Sequence, residues 1–182
     1  LKDAATQAGF TSVELLEEPV SAALGYIKSE GSQNVKGMLV YDFGGGTFDA
    51  ALLKVEDGIM QVFDTEGDNY LGGKNLDYAI VDNIIVPYLK SNYSIDNIWM
   101  DAAKKEILRD AMKTYAEDAK NQLSFKDHED IISNLGDLGE DEEGEEIELD
   151  LTLTQAQVFD VFRPYFQKAV DICKNLIQRN NL

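Results

Sequence analysis

YDFGGGTFDA, residues 41–50, places three consecutive glycines between two aspartates at the end of an apolar run. The run before the glycines (GMLVYDF, 37–43) and the run after them (TFDAALLKV, 47–55) both read as strands. Joined through Gly44, Gly45 and Gly46 they make a hairpin. Glycines lack Cβ, so they reach positive φ and let an anion approach the backbone closely. Successive N–H groups in such a loop form a nest for phosphate oxygens. Side chains alternate along a strand, so Thr47 and Asp49 share a face. Asp42 stands at the exit of the first strand. Two carboxylates beside a phosphate repel it unless a divalent cation lies between. Mg2+ suits that place, because its usual ligands are waters, phosphates and one or two carboxylates. No G-K-[ST] follows, so this is not a Walker loop. The bland alternative is a glycine-rich turn with two exposed acids. A plain turn, however, has no need of three glycines, a threonine and paired acids together.

Working outward, a third strand is expected at GIMQVFDTE (58–66), joined through Glu56-Asp57-Gly58, and the three make an antiparallel meander. Upstream, LKDAATQAG (1–9) reads as the end of a helix stopped by Gly9. TSVELLE (11–17) reads as a short strand. EEPVSAALGYIKSE (17–30) is a helix, with Pro19 in its first turn and Glu17 and Glu18 at the positive end of its dipole. Ser29–Asn34 is a polar turn. Downstream, GDNYLGG (67–73) is a loop and residues 74–91 a helix that Pro87 kinks or breaks. Residues 98–123 carry the clearest helical period, with Ala103, Ile107, Leu108, Ala111, Met112, Tyr115, Ala116, Ala119 and Leu123 on one face. Residues 123–133 and 146–153 read as strands around a solvated acidic tip, NLGDLGEDEEGEE (134–146). That tip lacks the ordered ligand spacing of a calcium loop. Thr154 and Gln157 form a capping box for a last helix, which Pro164 bends.

The chain has 182 residues and a formal charge of −18, from 34 acidic against 16 Lys and Arg side chains. Nucleic acid and anionic membrane surfaces both call for a cationic face. Neither is expected as a partner, whereas basic proteins are. An anionic ligand would need local N–H groups or a bound cation against that global field. The single cysteine, Cys173, beside Ile172 and Leu176, reads as a buried, inert thiol on a helix core face. No stretch approaches the roughly 20 apolar residues of a membrane span. No signal peptide is visible, and a reducing, cytoplasmic setting is the default. The chain opens without methionine inside a helical pattern, so it reads as a piece of a longer protein.

Several segments together resemble the seventy-kilodalton heat-shock chaperone family, a branch of the actin-like ATPases. YDFGGGTFDAALL resembles that family's second phosphate-binding motif. LKDAATQAGF…LLEEPVSAALGY, DGIMQVFDTEGDNYLGGKNLD, YAEDAKNQLS and LTLTQAQVFDVF are similar to further family segments, in the family's order. The resemblance implies an α+β (α/β) fold: an actin-like ATPase, ribonuclease H-like lobe with an inserted α+β subdomain. Residues 1–33 would be crossing segments from the first lobe. Residues 34–71 and 154–182 would form the base of the second lobe, and residues 72–153 the inserted subdomain.

The same resemblance implies the ligands, ATP or ADP with Mg2+ and also K+, and the roles of individual residues. Asp42 would face the metal end of the phosphates. Gly44, Gly45, Gly46 and Thr47 would hold the phosphates. Asp49 would help order the attacking water and a monovalent cation, and Glu18 would lie near the metal-bound waters as a proton acceptor. Asp42 and Asp49 would meet the metal mostly through water. Gly73 would line the phosphate side of the inserted subdomain. Glu117, Lys120, Asn121 and Ser124 would face the ribose and adenine. Asn121 departs from the family, which commonly stacks an arginine on adenine there; an amide lacks that planar cation. Implied partners are a J-domain co-chaperone near GIMQV, a nucleotide exchange factor on the inserted subdomain, and unfolded clients through a domain beyond this chain. The family's first phosphate loop and a lysine that meets the transferred phosphate are not in these residues. Phosphoryl transfer needs charge neutralisation from all sides, so residues 1–182 alone are expected not to hydrolyse ATP. Another actin-like ATPase, such as a sugar kinase or filament protein, is the alternative. An acidic interaction module is a third reading, and the glycine loop counts against it.

Overall fold

The computed structural model describes residues 1–30 and 35–182. The expected polar turn therefore lies outside the described residues from Gly31 to Asn34; Ser29 and Glu30 close a helix instead. The chain divides into two compact units, Leu1–Phe43 with Phe48–Asp68 and Asp171–Leu182, and Gly44–Thr47 with Asn69–Val170.

The first unit is built on a three-stranded antiparallel sheet, β1 (Gly37–Phe43), β2 (Phe48–Glu56) and β3 (Ile59–Asp68), in the order β1-β2-β3. The expected meander forms. β2 is central, and Phe48 and Ala50–Leu53 are buried along it. β3 alternates exposed and half-buried residues throughout. The β2–β3 turn holds Asp57 at φ 52° and Gly58 at φ 78°. Two positive φ values give the turn a twist that matches its strands, and aspartate-glycine is the pair that tolerates them. The register slips between Leu52 and Leu53, a bulge that leaves Phe63 as the extra residue. Helix α1 (Lys2–Gln7) precedes α2 (Glu18–Glu30). α2 buries Val20 and Ala23 against Ala51 and Leu53, with Met38, Val40, Met60 and Val62 packed around them.

The strand expected at 11–17 does not form. A strand exists through its ladder, and no described residue pairs with this segment. Leu15 and Leu16 are exposed.

The second unit carries α3 (Gly73–Ile80), a π-helical turn (Val81–Ile85), α4 (Val86–Asn92), α5 (Asp96–Met100), α6 (Ala102–Gln122), the antiparallel pair β4 (His128–Ile132) and β5 (Asp150–Thr154), and the larger part of α7 (Gln155–Arg179). The break expected at Pro87 takes the form of the π turn just before it. Proline offers no N–H and its ring crowds the carbonyl four residues back, Asn83, inside that turn. The helix expected over 98–123 is two helices. Asp101 ends α5 and caps α6, accepting from Ala103 N at 3.0 Å and Lys104 N at 3.1 Å. The buried stripe of α6 is Leu108, Met112, Ala116 and Ala119, continued by Leu123. Ile107, expected on that face, is 72% exposed, since it stands about 100° round the helix from Leu108.

The acidic tip is solvated as expected, with only Leu138 and Asp141 buried between 134 and 146, but it is also folded. Asp141 is buried, and its carboxylate accepts from the N–H groups of Ser94, Glu143 and Glu145, each at 2.9 Å. Those backbone bonds hold its pKa below the usual carboxylate range. Gly136, Gly139 and Gly144 supply the positive φ values of the turns. The Thr154–Gln157 capping box forms as expected, with Thr154 N bonding Gln157 Oε1 at 2.9 Å and Gln157 N bonding Thr154 Oγ1 at 3.3 Å. Pro164 lies on the exposed side of a continuous α7. Cys173 is a buried free thiol, and burial pushes its pKa up. Among the described residues no helix is long and apolar enough to cross a membrane.

Candidate functional site

The glycine loop, Gly44–Thr47, belongs to the second unit and is closed by a bond from Gly44 N to Thr47 O at 2.8 Å. The start of α3 packs against it. Gly73 N donates to Gly44 O at 2.9 Å and Lys74 N to Gly45 O at 2.7 Å. Two of the donors that a helix start leaves orphaned are thus used to set the loop's shape. Asn75 completes the start of α3, its Oδ1 accepting from Gly72 N at 2.9 Å. Gly72 is the tightest point. A Cβ there would fall 2.7 Å from Gly46 C and N and 2.8 Å from Gly44 O. With the loop's carbonyls turned to α3, the N–H groups of Gly45, Gly46 and Thr47 make no hydrogen bond among the described residues. All three residues are exposed.

Beside the loop lies a cleft of about 450 Å³ lined by Gly45, Gly73, Lys74, Asp77, Lys113, Glu117 and Lys120 among others. Its organising residue is Asp77, only 2% exposed. Asp77 pairs with Lys120 Nζ at 2.5 Å and with Lys113 Nζ at 3.6 Å. Lys113 also holds Glu117 at 2.7 Å. That bond raises the Lys113 pKa, which Asp77 raises further, and lowers that of Glu117. Tyr78 and Asp110 complete the lining and bond to each other at 2.5 Å. In a chain of charge −18, this cleft sets three lysines against three carboxylates. It is locally neutral ground, and loop amides open beside it, which is what an anion needs.

The first unit carries the acidic residues. Asp42 and Asp49 are direct cross-strand partners on β1 and β2. With Glu17, Glu18 and Thr65 they line a cavity of about 610 Å³. Gly67 on β3 makes the seat for Asp49, since a Cβ there would lie 2.8 Å from Asp49 Oδ1 and 2.7 Å from Phe48 O.

The expected residues therefore fall into groups. Glu18, Asp42 and Asp49 share one cavity. Gly45, Gly73, Glu117 and Lys120 share the cleft, and Gly44, Gly46 and Thr47 complete its loop. Asn121 and Ser124 do not line that cleft. They line an adjoining cavity, with Lys120 common to both. Sequence reading missed Gly67, Gly72, Lys74, Asp77 and Lys113. A signal existed for the lysines: Lys113 and Lys120 stand seven residues, two turns, apart on one helix face.

Residues 1–182 match the sequence model of the Hsp70 protein family. The chain belongs to the Hsp70 family. Its fold is that of the actin-like ATPases, with the mixed α and β content seen here. The resemblance read from the motifs thus holds over the whole chain. Hsp70 proteins are chaperones that bind ATP or ADP with Mg2+ and work with co-chaperones and clients.

The acidic cavity of this Hsp70 chain suits a hard divalent ion. Its polar side chains are four carboxylates, the Thr65 hydroxyl and the Tyr41 phenol, and neither lysine nor arginine lines it. Among the described residues no three carboxylates are close enough to grip an ion directly.

Proposed function

We propose that this Hsp70 chain carries part of the ATP-binding and ATP-hydrolysing site of a molecular chaperone. The observation that carries the proposal is the glycine loop. Three consecutive backbone N–H groups, at Gly45, Gly46 and Thr47, are exposed and without partners among the described residues, beside a cleft in which Lys113 and Lys120 pair with Asp77. Gly44–Thr47 hold the phosphates through backbone and hydroxyl, and Gly73 lines the same approach. Glu117 and Lys120 face the ribose, and Asn121 and Ser124 the adenine.

Asp42 and Asp49 would hold Mg2+ mostly through water, with K+ as a monovalent partner. When bound, Mg2+ neutralises charge on the phosphates. Asp49 would order the attacking water, and Glu18 would accept its proton. ATP binding and hydrolysis drive a client-binding domain outside these residues. A basic J-domain protein docks near Gly58–Val62, an exchange factor holds residues 72–153, and the setting is cytoplasmic. Residues 34–71 and 154–182 serve as the base of the lobe and residues 1–33 as crossing segments.

Hydrolysis and binding separate in the test. The full-length protein binds Mg-ADP, whereas residues 1–182 alone show no multiple turnover of ATP, because charge neutralisation from one side is not enough for phosphoryl transfer. Steady phosphate release by the pure chain, abolished by Asp49→Asn, would place the whole catalytic apparatus within these residues and overturn the reading.

A further inference from the structure

The strand that shapes the acidic cavity is held from behind by the end of α7. Side chains alternate along β3, so Thr65 shares a face with Gly67, and Asp64 with Glu66. Thr65 stands opposite Ala51 on β2, and Gly67 opposite Asp49. Thr65, Ala51 and Asp49 all line the cavity. Asp64 and Glu66, on the other face, both meet Arg179.

That hold falls where β3 needs it. β3 is an edge strand, with β2 as its one neighbour among the described residues. The bulge between Leu52 and Leu53 of β2 interrupts its ladder just before Asp64. Beyond the bulge, Arg179 fixes three consecutive residues. It takes Asp64 through Nε at 2.8 Å and Nη2 at 2.9 Å, Glu66 through Nη1 at 2.6 Å, and the Thr65 carbonyl through Nη2 at 2.7 Å. Thr65 N donates to Asp64 Oδ1 at 2.9 Å, so the Thr65 backbone is held at both its N–H and its C=O. A planar guanidinium does this as a rigid fork, which a lysine ammonium cannot copy. The next residue but one after Thr65 is the seat of Asp49. A Cβ on Gly67 would lie 2.8 Å from Asp49 Oδ1, so the carboxylate rests directly against the β3 backbone. Where that backbone moves, Asp49 moves.

We propose that Arg179 is a positioning residue for hydrolysis: by clamping Asp64–Glu66 it fixes Gly67, and through Gly67 the carboxylate of Asp49. This rests on the reading of Asp49 as the residue that orders the attacking water. It adds a residue near the end of α7, outside every motif that pointed to that reading.

The test uses the full-length protein with Arg179→Met, Gly67→Ala and the two combined. It reads single-turnover ATP hydrolysis beside Mg-ADP affinity by calorimetry. Methionine keeps an apolar stem and removes the fork. Arg179→Met slows hydrolysis about tenfold, as misplacement of a catalytic group does. It leaves Mg-ADP affinity unchanged, because the Arg179 bonds go to β3 and not to the glycine loop. Gly67→Ala also slows hydrolysis, by crowding the seat. Adding Arg179→Met to it costs much less than the full factor, since both act through Asp49. Wild-type hydrolysis by Arg179→Met overturns the proposal. So does a full added factor in the combined variant, which marks separate actions. Equal loss of hydrolysis and ADP affinity marks a loosened fold and overturns it too. If Gly67→Ala fails to fold, the split between hydrolysis and ADP affinity in Arg179→Met decides alone. If the wild type neither binds Mg-ADP nor hydrolyses ATP, the nucleotide reading itself falls, and the positioning role with it.

Discussion

Gly72 has an extended backbone, φ −176°, which any residue can adopt. What excludes other residues is space, because a Cβ meets the backbone of Gly46 at 2.7 Å and of Gly44 at 2.8 Å. Backbone cannot rotate away as a side-chain tip can. Gly72→Ala is therefore expected to cost about 1–3 kcal/mol by overpacking, read as a lower urea midpoint, and to displace the amide signals of the glycine loop. An unchanged midpoint would mean that the loop does not rest on α3. Asn121 makes a different point, since its effect lies in the ligand. A guanidinium there can lie over an aromatic face for roughly 0.5–1 kcal/mol at an exposed site. Asn121→Arg should tighten Mg-ADP binding by the full-length protein about two- to fivefold by calorimetry; unchanged affinity would remove Asn121 from the base site. At this scale the glycine triplet was legible because its composition is unusual in itself. Gly72 and Asp77 were not, since a steric contact and a buried ion pair depend on what the fold brings against them.

Among the elements, the end of α7 is tied to β3 chiefly by Arg179. Arg179 meets Asp64 through Nε at 2.8 Å and Nη2 at 2.9 Å, Glu66 through Nη1 at 2.6 Å, and Thr65 O at 2.7 Å. Asn180 adds a bond to Asp64 at 2.6 Å. The Arg179 guanidinium and this amide hold the Asp64 carboxyl far below the usual carboxylate range. A depressed folded-state pKa contributes stability that is fully present above the unfolded value, about 3.9, and fades as pH falls through it toward the folded value. The stability gap between wild type and Arg179→Ala, from urea midpoints, should thus be largest near neutrality and narrow below about pH 4. A gap constant from pH 7 to pH 3 would show that Arg179 acts by packing alone. Local pattern gave the meander, the Thr154 cap and the last helix, because each is decided by neighbours in sequence. It missed where tertiary partners decide. Residues 11–17 have strand composition but no ladder. Residues 134–146 have loop composition, but Asp141 gathers three backbone donors and makes them a folded turn.

For the molecule as a whole, the charge of −18 and the neutral lysine cleft belong together. The global field disfavours a phosphate, so binding must come from dipoles and fixed cations within a few ångströms. That makes phosphate binding sensitive to local geometry. The most direct measurement is an amide NMR titration of residues 1–182 with Mg-ADP. The expected result is a set of shifts at Gly44–Thr47, Gly73 and Glu117–Ser124, with signals remote from these cavities unmoved. Silence at Gly45, Gly46 and Thr47, at ADP concentrations that saturate the full-length protein, would contradict the claim that these residues carry a prebuilt phosphate site.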